Sequence, residues 1–442
     1  MRFFNVRKGQ RKSYRLTALT VLVGLALLST NLGCILEFPY SYSSSLTVSS
    51  DGSIVAYVRS NNTVLSYGGH TGKELNGEEI VRYRPVNQAF GLKSVRVYSY
   101  TGASPSGYIE GMLPIIKFSP DSRHLGVLTR GVLSCIDLET SRLWSLAPSD
   151  ERVTTFSWIG SDEIAYVGQP NNRVFFRHKI DDPPGERKII HKGAGPAIQE
   201  YSFPNEYWSP RGRFVIYKQP DRGFVLLEVH TGVVRSFDAP PAAAMQAAWK
   251  HDGSAVLCAS YDKNHSPKAA VLIDLRTGES LDLSEQFVHA FTDPFRTELD
   301  PDWTPDGKYI IVNTVRRGGF LIQLKPWNVI PIGERLVSHL GRHYEPYIYK
   351  DDPQPDPPWI HSFPIVGWMK VDAGGRDYAV DYAVQRLVRL GGWATESIYP
   401  IVSALPTGVR IVELTAFGGI KVRNIDLSDA KRLQRHASST RH

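Results

Sequence analysis

Leu299-Asp-Pro-Asp-Trp-Thr-Pro-Asp-Gly-Lys-Tyr-Ile-Ile-Val312 is the stretch from which the rest of the chain can be read. Pro305 pre-sets φ for the first central position of a turn, Asp306 suits the second, and Gly307 takes a positive φ without a Cβ clash. Lys308 to Val312 is then rich in β-branched and aromatic side chains, so it reads as a strand. The unit is a β-hairpin closed by a tight turn.

Working outward, the hairpin recurs. Leu46-Thr-Val-Ser-Ser-Asp-Gly-Ser-Ile-Val-Ala-Tyr57 turns at Asp51-Gly52. Ile116-Lys-Phe-Ser-Pro-Asp-Ser-Arg-His-Leu-Gly-Val127 turns at Asp121-Ser122. Phe156-Ser-Trp-Ile-Gly-Ser-Asp-Glu-Ile-Ala-Tyr166 turns at Gly160-Ser161, and Tyr207-Trp-Ser-Pro-Arg-Gly-Arg-Phe-Val-Ile-Tyr217 keeps Pro and Gly with Arg211 between them. Ala248-Trp-Lys-His-Asp-Gly-Ser-Ala-Val-Leu-Cys258 precedes the Trp303 copy. Trp368-Met-Lys-Val-Asp-Ala-Gly-Gly-Arg-Asp-Tyr-Ala-Val380 is a looser match, and Ile401-Val-Ser-Ala-Leu-Pro-Thr-Gly-Val-Arg-Ile-Val412 the weakest. Successive turns lie roughly 33 to 70 residues apart, and the shorter spacings suit a repeat of four strands.

The Trp-Ser-Pro-Arg-Gly, Phe-Ser-Pro-Asp-Ser and Trp-Thr-Pro-Asp-Gly copies resemble the repeat of TolB-type propellers, relatives of the tryptophan–aspartate repeat proteins. The resemblance implies an all-β fold, a β-propeller of seven or eight four-stranded blades over residues 46–427. Physics agrees, because a four-stranded sheet with two apolar faces buries both only when ranked between neighbours around an axis. The last copy supplies about three strands, so a strand from the N-terminal part is expected to join it and close the ring. Trp158, Trp208, Trp249, Trp303 and Trp368 occupy matching places in successive repeats, which points to packing between blades rather than to a sugar platform.

The leader is read separately. Arg2, Arg7, Lys8, Arg11, Lys12 and Arg15 precede an apolar stretch over residues 16–33, the pattern of an export signal. Setting those six aside leaves 45 basic against 44 acidic residues, so no nucleic-acid footprint remains in the exported part. Leu32-Gly33-Cys34 resembles a bacterial lipoprotein cleavage site; Gly33 and Cys34 fit it, Asn31 and Leu32 depart from it. The resemblance implies lipidation of Cys34. An uncleaved signal anchor and a soluble exported protein are the other readings. Residues 1–33 are thus a signal peptide, 34–45 a Ser-rich tether and 428–442 a polar basic tail.

Chemistry-bearing patterns are sparse. No Gly-x-Ser-x-Gly elbow and no phosphate-cradling Gly loop occurs. His339 and His343 lack the Glu of a zinc protease motif, and Asp351, Asp352 and Asp356 lack the spacing of a calcium loop. His70, His124, His178, His230, His251 and His289 fall at unrelated repeat positions. Cys135 and Cys258 lie in apolar strands and read as buried thiols. The expectation is therefore no catalytic, cofactor or metal residue, and an envelope-attached module meeting protein partners on an end face. The alternative is a propeller enzyme or binding protein taking an extracellular carbohydrate or lactone at the axial funnel.

Overall fold

The computed structural model describes residues 36–432 except 51, 68–69, 86–92, 100–114, 130, 149–150, 170–172, 184–185, 194–205, 220–222, 239–243, 262–266, 292–300, 315–317, 334, 337–357, 374–376, 391–400, 415–419 and 429. The leader and Cys34 lie outside the described residues.

The strands follow one another as antiparallel sheets in chain order. The first sheet holds β1 (Leu36–Val48), β2 (Ile54–Tyr67), β3 (His70–Pro85) and β4 (Lys93–Ser99). The second holds β5 (Ile115–Phe118), β6 (His124–Thr129), β7 (Val132–Asp137) and β8 (Leu143–Ser145). The third is β9 (Arg152–Trp158), β10 (Glu163–Gln169), β11 (Val174–Lys179) and β12 (Lys188–Lys192). The fourth is β13 (Glu206–Trp208), β14 (Phe214–Gln219), β15 (Gly223–Glu228) and β16 (Val234–Phe237). The fifth is β17 (Ala244–Trp249), β18 (Ala255–Tyr261), β19 (Pro267–Asp274) and β20 (Ser280–Asp282), followed by the short helix α1 (Ser284–Phe291). The sixth is β21 (Asp302–Trp303), β22 (Tyr309–Thr314), β23 (Gly318–Leu324) and β24 (Trp327–Pro331). The seventh is β25 (Trp359–His361), β26 (Trp368–Asp372), β27 (Asp377–Asp381) and β28 (Arg386–Arg389). The eighth is β29 (Ile401–Leu405), β30 (Gly408–Leu414) and β31 (Ile420–Asp426), and β32 (Lys431–Arg432) pairs back onto β28.

Each sheet is buried on both faces by its two neighbours. In β18 every residue is buried, and the alternation of the strand splits them. Leu257 and Ala259 face the sixth sheet with Trp303, Ile310 and Phe320, while Val256 and Cys258 face the fourth with Ile216 and Leu226. Similar apolar layers join every consecutive pair of sheets. A further, small layer joins the first sheet to the eighth through Val55 and Val412, so the apolar contacts close into a ring. This is the architecture of a β-propeller.

Three sequence expectations need correction. The ring does not close by strand exchange among the described residues: β1 pairs with β2, from Leu36 opposite Ser66 to Val48 opposite Val55, and the last sheet is formed by β29, β30 and β31 without it. For the same reason residues 36–45 belong to a strand rather than to a tether. β2 and β3 run on through this polar sequence, with bulges at Asn61/Thr63 and Val64/Ser66. Within the polar basic tail, Lys431 and Arg432 form a short strand pairing with β28. The weakest hairpin, in contrast, is real: Leu405 pairs with Gly408 across a tight turn.

Trp368 is the third correction. It lies on β26, the second strand of its sheet, not on the first, so it is out of step with the other four tryptophans. The hairpin that matches the other copies joins β25 to β26 through residues 362–367, where Phe363 to Val366 hide it from a Pro-Asp-Gly template. The helix α1 was not foreseen either. Phe287 pins it against the core and meets Trp327 at a centroid distance of 5.7 Å.

Candidate functional site: the turn face and its acidic cleft

Four of the turns between first and second strands are built alike. Ser49, Ser119, Ser209 and Thr304 are all buried, and each side-chain oxygen accepts the amide five residues on, at 2.8, 2.9, 3.0 and 3.1 Å respectively. The amide three residues on from each bonds back to its carbonyl, at 2.8 to 2.9 Å. That third residue has a left-handed backbone, φ 70° at Gly52, 61° at Ser122, 63° at Gly212 and 63° at Gly307. A hydroxyl at the first position of these four loops caps the strand that follows, and the left-handed fourth position favours Gly, with Ser122 the exception.

The first strands are tied to one another by their tryptophans. Trp158 Nε1 donates to Lys117 O at 2.8 Å, Trp249 to Tyr207 O at 3.1 Å and Trp303 to Ala248 O at 3.1 Å. Trp208 Nε1 donates instead to Thr155 Oγ1 at 3.1 Å. At the next boundary no tryptophan is in place, and Ser362 Oγ and His251 Nε2 donate to Trp303 O at 2.8 and 3.0 Å. The packing between sheets expected of these indoles holds for all five, since Trp368, though on a second strand, lies in the layer between the seventh and eighth sheets.

Between the second and third sheets this turn face opens into a cleft of about 710 Å³. One wall comes from the β5–β6 turn with Asp121 and His124, and from the β7–β8 turn with Asp137 and Arg142. The opposite wall comes from Asp162, in the β9–β10 turn, and from Asp181 and Asp182 beyond β11. Trp144 stands on β8, and its Nε1 donates to Ile180 O at 2.8 Å, joining the two walls.

Its carboxylates differ in state. Asp137 Oδ1 accepts the Thr140 amide at 2.7 Å and the Thr140 hydroxyl at 2.9 Å. The Thr140 amide, against an opposing effect of burial, holds the Asp137 carboxyl below its ordinary range, with help from that hydroxyl, His124 and Arg123. Asp162, Asp181 and Asp182 make no side-chain hydrogen bond or ion pair among the described residues. His124 is 8% exposed, lies over Trp158 at 6.3 Å and edge-on to Trp144 at 6.3 Å. Its Nδ1 is buried with no hydrogen-bond partner among the described residues. The Arg142 guanidinium covers the Trp144 ring at 5.7 Å.

The other residues singled out by sequence are not gathered here. His339, His343, Asp351, Asp352, Asp356 and Cys34 lie outside the described residues. His178 is buried 99% within the interface below the cleft, where burial lowers its pKa against the pull of Asp182. Cys135 and Cys258 are buried and unpaired. Burial pushes the Cys135 thiol up to about 12 and that of Cys258 well above its usual value. Among the described residues no three His, Cys, Asp or Glu side chains could share a metal ion. Sequence reading missed the cleft; its one local sign is the run Asp181-Asp182-Pro183 in a turn.

A scan against protein-family models finds no match. No curated protein matches in sequence either. Among solved structures the chain is similar to Sqt1 of Saccharomyces cerevisiae, a WD-repeat β-propeller, with a TM-score of 0.52 at 10% identity. The match covers 88% of this chain and 98% of that one, so nearly the whole neighbour is spanned. At that identity the likeness concerns the fold.

Proposed function

We propose that the chain is an eight-bladed, TolB-like propeller that acts as a protein-interaction module, not an enzyme, carried to the cell envelope by its leader and held there through a lipid on Cys34. The observation that carries the interaction reading is the turn face. Its loops are locked by buried hydroxyls, its first strands are tied by indole–carbonyl bonds, and it presents a polar cleft lined by Asp121, Asp137, Asp162, Asp181 and Asp182. A rigid face of this kind meets a partner with little ordering cost. The apolar ring closed by Val55 and Val412 supports the count of eight. The export leader and Leu32-Gly33-Cys34 support the location.

The test is in-cell crosslinking of the tagged full chain, followed by mass spectrometry of what is attached. A reproducible protein partner, crosslinked through turn-face residues, is expected. Crosslinks no richer than those of an unrelated envelope protein would refute the module.

A further inference from the structure

The eighth sheet stops one strand short of the others. Each of the first seven sets a fourth strand beside its third, and the seventh adds β32 as a fifth. The eighth ends at β31, which pairs with β30 from Gly408 opposite Asp426 to Leu414 opposite Ile420, and with no other strand among the described residues. In an antiparallel strand with a single neighbour, alternate residues turn their N–H and C=O to the open side.

Burial sets β31 apart from the corresponding third strands. β7, β11, β15, β19, β23 and β27 each bury at least three residues. In β31 none is buried from Lys421 to Asp426, and the apolar Val422 and Ile425 stay half-buried. The strand is seven residues long, with no proline and no bulge, so its charges are all that guard the edge. The neighbouring sheet shows that such an edge takes a further strand, since β32 lies on β28.

The two faces of β31 select what fits. Ile425 belongs to the layer against the seventh sheet, so Lys421 and Arg423 share that face, and the Arg423 guanidinium donates to Leu390 O just beyond β28. Val422 lies on the other face, in the layer with Val55 of the first sheet. Among the described side chains of β28, β30 and β31, Arg386, Arg389, Arg410, Lys421 and Arg423 stand against Asp426 alone, with Arg386 paired to Asp381 on β27.

We propose that β31 receives an extended segment of a partner protein as the fourth strand of the eighth sheet, a segment that alternates acidic and apolar residues. Its acidic side chains lie beside Lys421 and Arg423 and its apolar ones beside Val422, because directly opposite residues of antiparallel strands share a face. Main-chain hydrogen bonds along the edge supply affinity, and the two unlike faces supply selectivity. The edge is apart from the turn face and goes beyond the module reading.

The experiment uses the full chain and a fluorescent synthetic peptide alternating Glu and Val, read by anisotropy. A Lys/Val peptide and a Glu/Val peptide with a central proline stand beside it. The Glu/Val peptide is expected to bind saturably, and less tightly as salt rises. The other two bind about tenfold more weakly, one through repulsion and one through a broken ladder. Lys421→Glu weakens the Glu/Val peptide about three- to fivefold, as one exposed pair reversed in sign. Lys188→Glu, on the outer edge of the third sheet, leaves it unchanged. No saturable binding, an unchanged affinity on Lys421→Glu, an equal loss on Lys188→Glu, or a control peptide as tight as Glu/Val would each overturn the proposal. So would competition by a peptide of residues 433–442, which gives the edge to the chain's own terminus, or a dimer that the Glu/Val peptide dissociates, which gives it to a second copy. The crosslinking experiment remains separate: a partner held through the turn face keeps the module even where β31 binds nothing.

Discussion

The indole of Trp303, on the sixth sheet, donates to the carbonyl of Ala248, on the fifth, at 3.1 Å, with Trp303 itself only 3% exposed. The bond crosses a sheet boundary at the first strands, where the sheets come closest together. Trp158 and Trp249 repeat it on their own neighbours. It is a polar tie inside an apolar joint, so it fixes register as well as adding area.

Trp303→Phe is therefore expected to lose about 1 to 3 kcal/mol, because the Ala248 carbonyl is left unpaired where water is excluded. Trp303→Ala, which also empties the joint, should lose about 3 to 5 kcal/mol. Trp368→Phe removes no indole–carbonyl bond and should cost less than Trp303→Phe. Urea unfolding of the three variants checks the order; a Trp368→Phe loss equal to that of Trp303→Phe would contradict it.

The turn loops separate backbone strain from crowding. At Gly52, with φ +70°, an added Cβ meets nothing within 4 Å. At Gly212, with φ +63°, it would stand 2.2 Å from the backbone oxygen of Trp158 on the neighbouring sheet. Gly52→Ala is expected to lose about 1 to 2 kcal/mol from the left-handed backbone alone. Gly212→Ala should lose clearly more, since that carbonyl cannot turn aside. Ser122 holds the same conformation with a side chain, so Ser122→Gly should gain about 0.5 kcal/mol net of the entropy Gly adds to the unfolded chain. Thermal unfolding distinguishes all three.

His361, on β25, gives a pH dependence with a definite sign. Burial, then the Lys370 cation, lowers its pKa from 6.5 to about 4, with Asp377 opposing. The folded protein resists a proton that the unfolded chain accepts. Its contribution is complete above pH 6.5 and is lost as pH falls from 6.5 towards 4. The loss amounts to roughly 3 kcal/mol at most. His361→Asn should flatten this part of the stability profile, measured by urea unfolding from pH 7 to about pH 4.5. An unchanged slope would show that His361 is not its source.

For the anchor, Cys34→Ala should abolish labelling by fatty acid and block processing at Gly33, while the propeller still folds. Two acyl chains are expected on the wild type, since one alone holds a protein only marginally at a membrane. A wild type that stays unlabelled and keeps its full-length mass would replace the lipid anchor with a signal anchor.

The propeller was legible because its signals are local. A hydroxyl, three intervening positions that include a left-handed one, and an alternating strand are read within a dozen residues, and the loop at Thr304 shows why each is needed. That information repeats along the chain, so even the degenerate Thr407-Gly408 hairpin could be found. Apolar runs such as 255–261 likewise declare that both faces of a sheet are covered.

What the tertiary structure alone decided is whatever depends on residues distant in sequence. Trp368 looked like its predecessors, but strand pairing places it on β26, one strand out of step. The apolar ring closes where Val55 meets Val412, two valines more than 350 positions apart, and no strand is exchanged between the first and last sheets among the described residues. The cleft belongs to the same class. Asp121 and Asp137 come from one sheet and Asp162, Asp181 and Asp182 from the next, each sited by its own turn. Turn chemistry is written locally because it acts over a few covalent bonds. The convergence of carboxylates across a sheet boundary acts through space, and only the packed sheets define it.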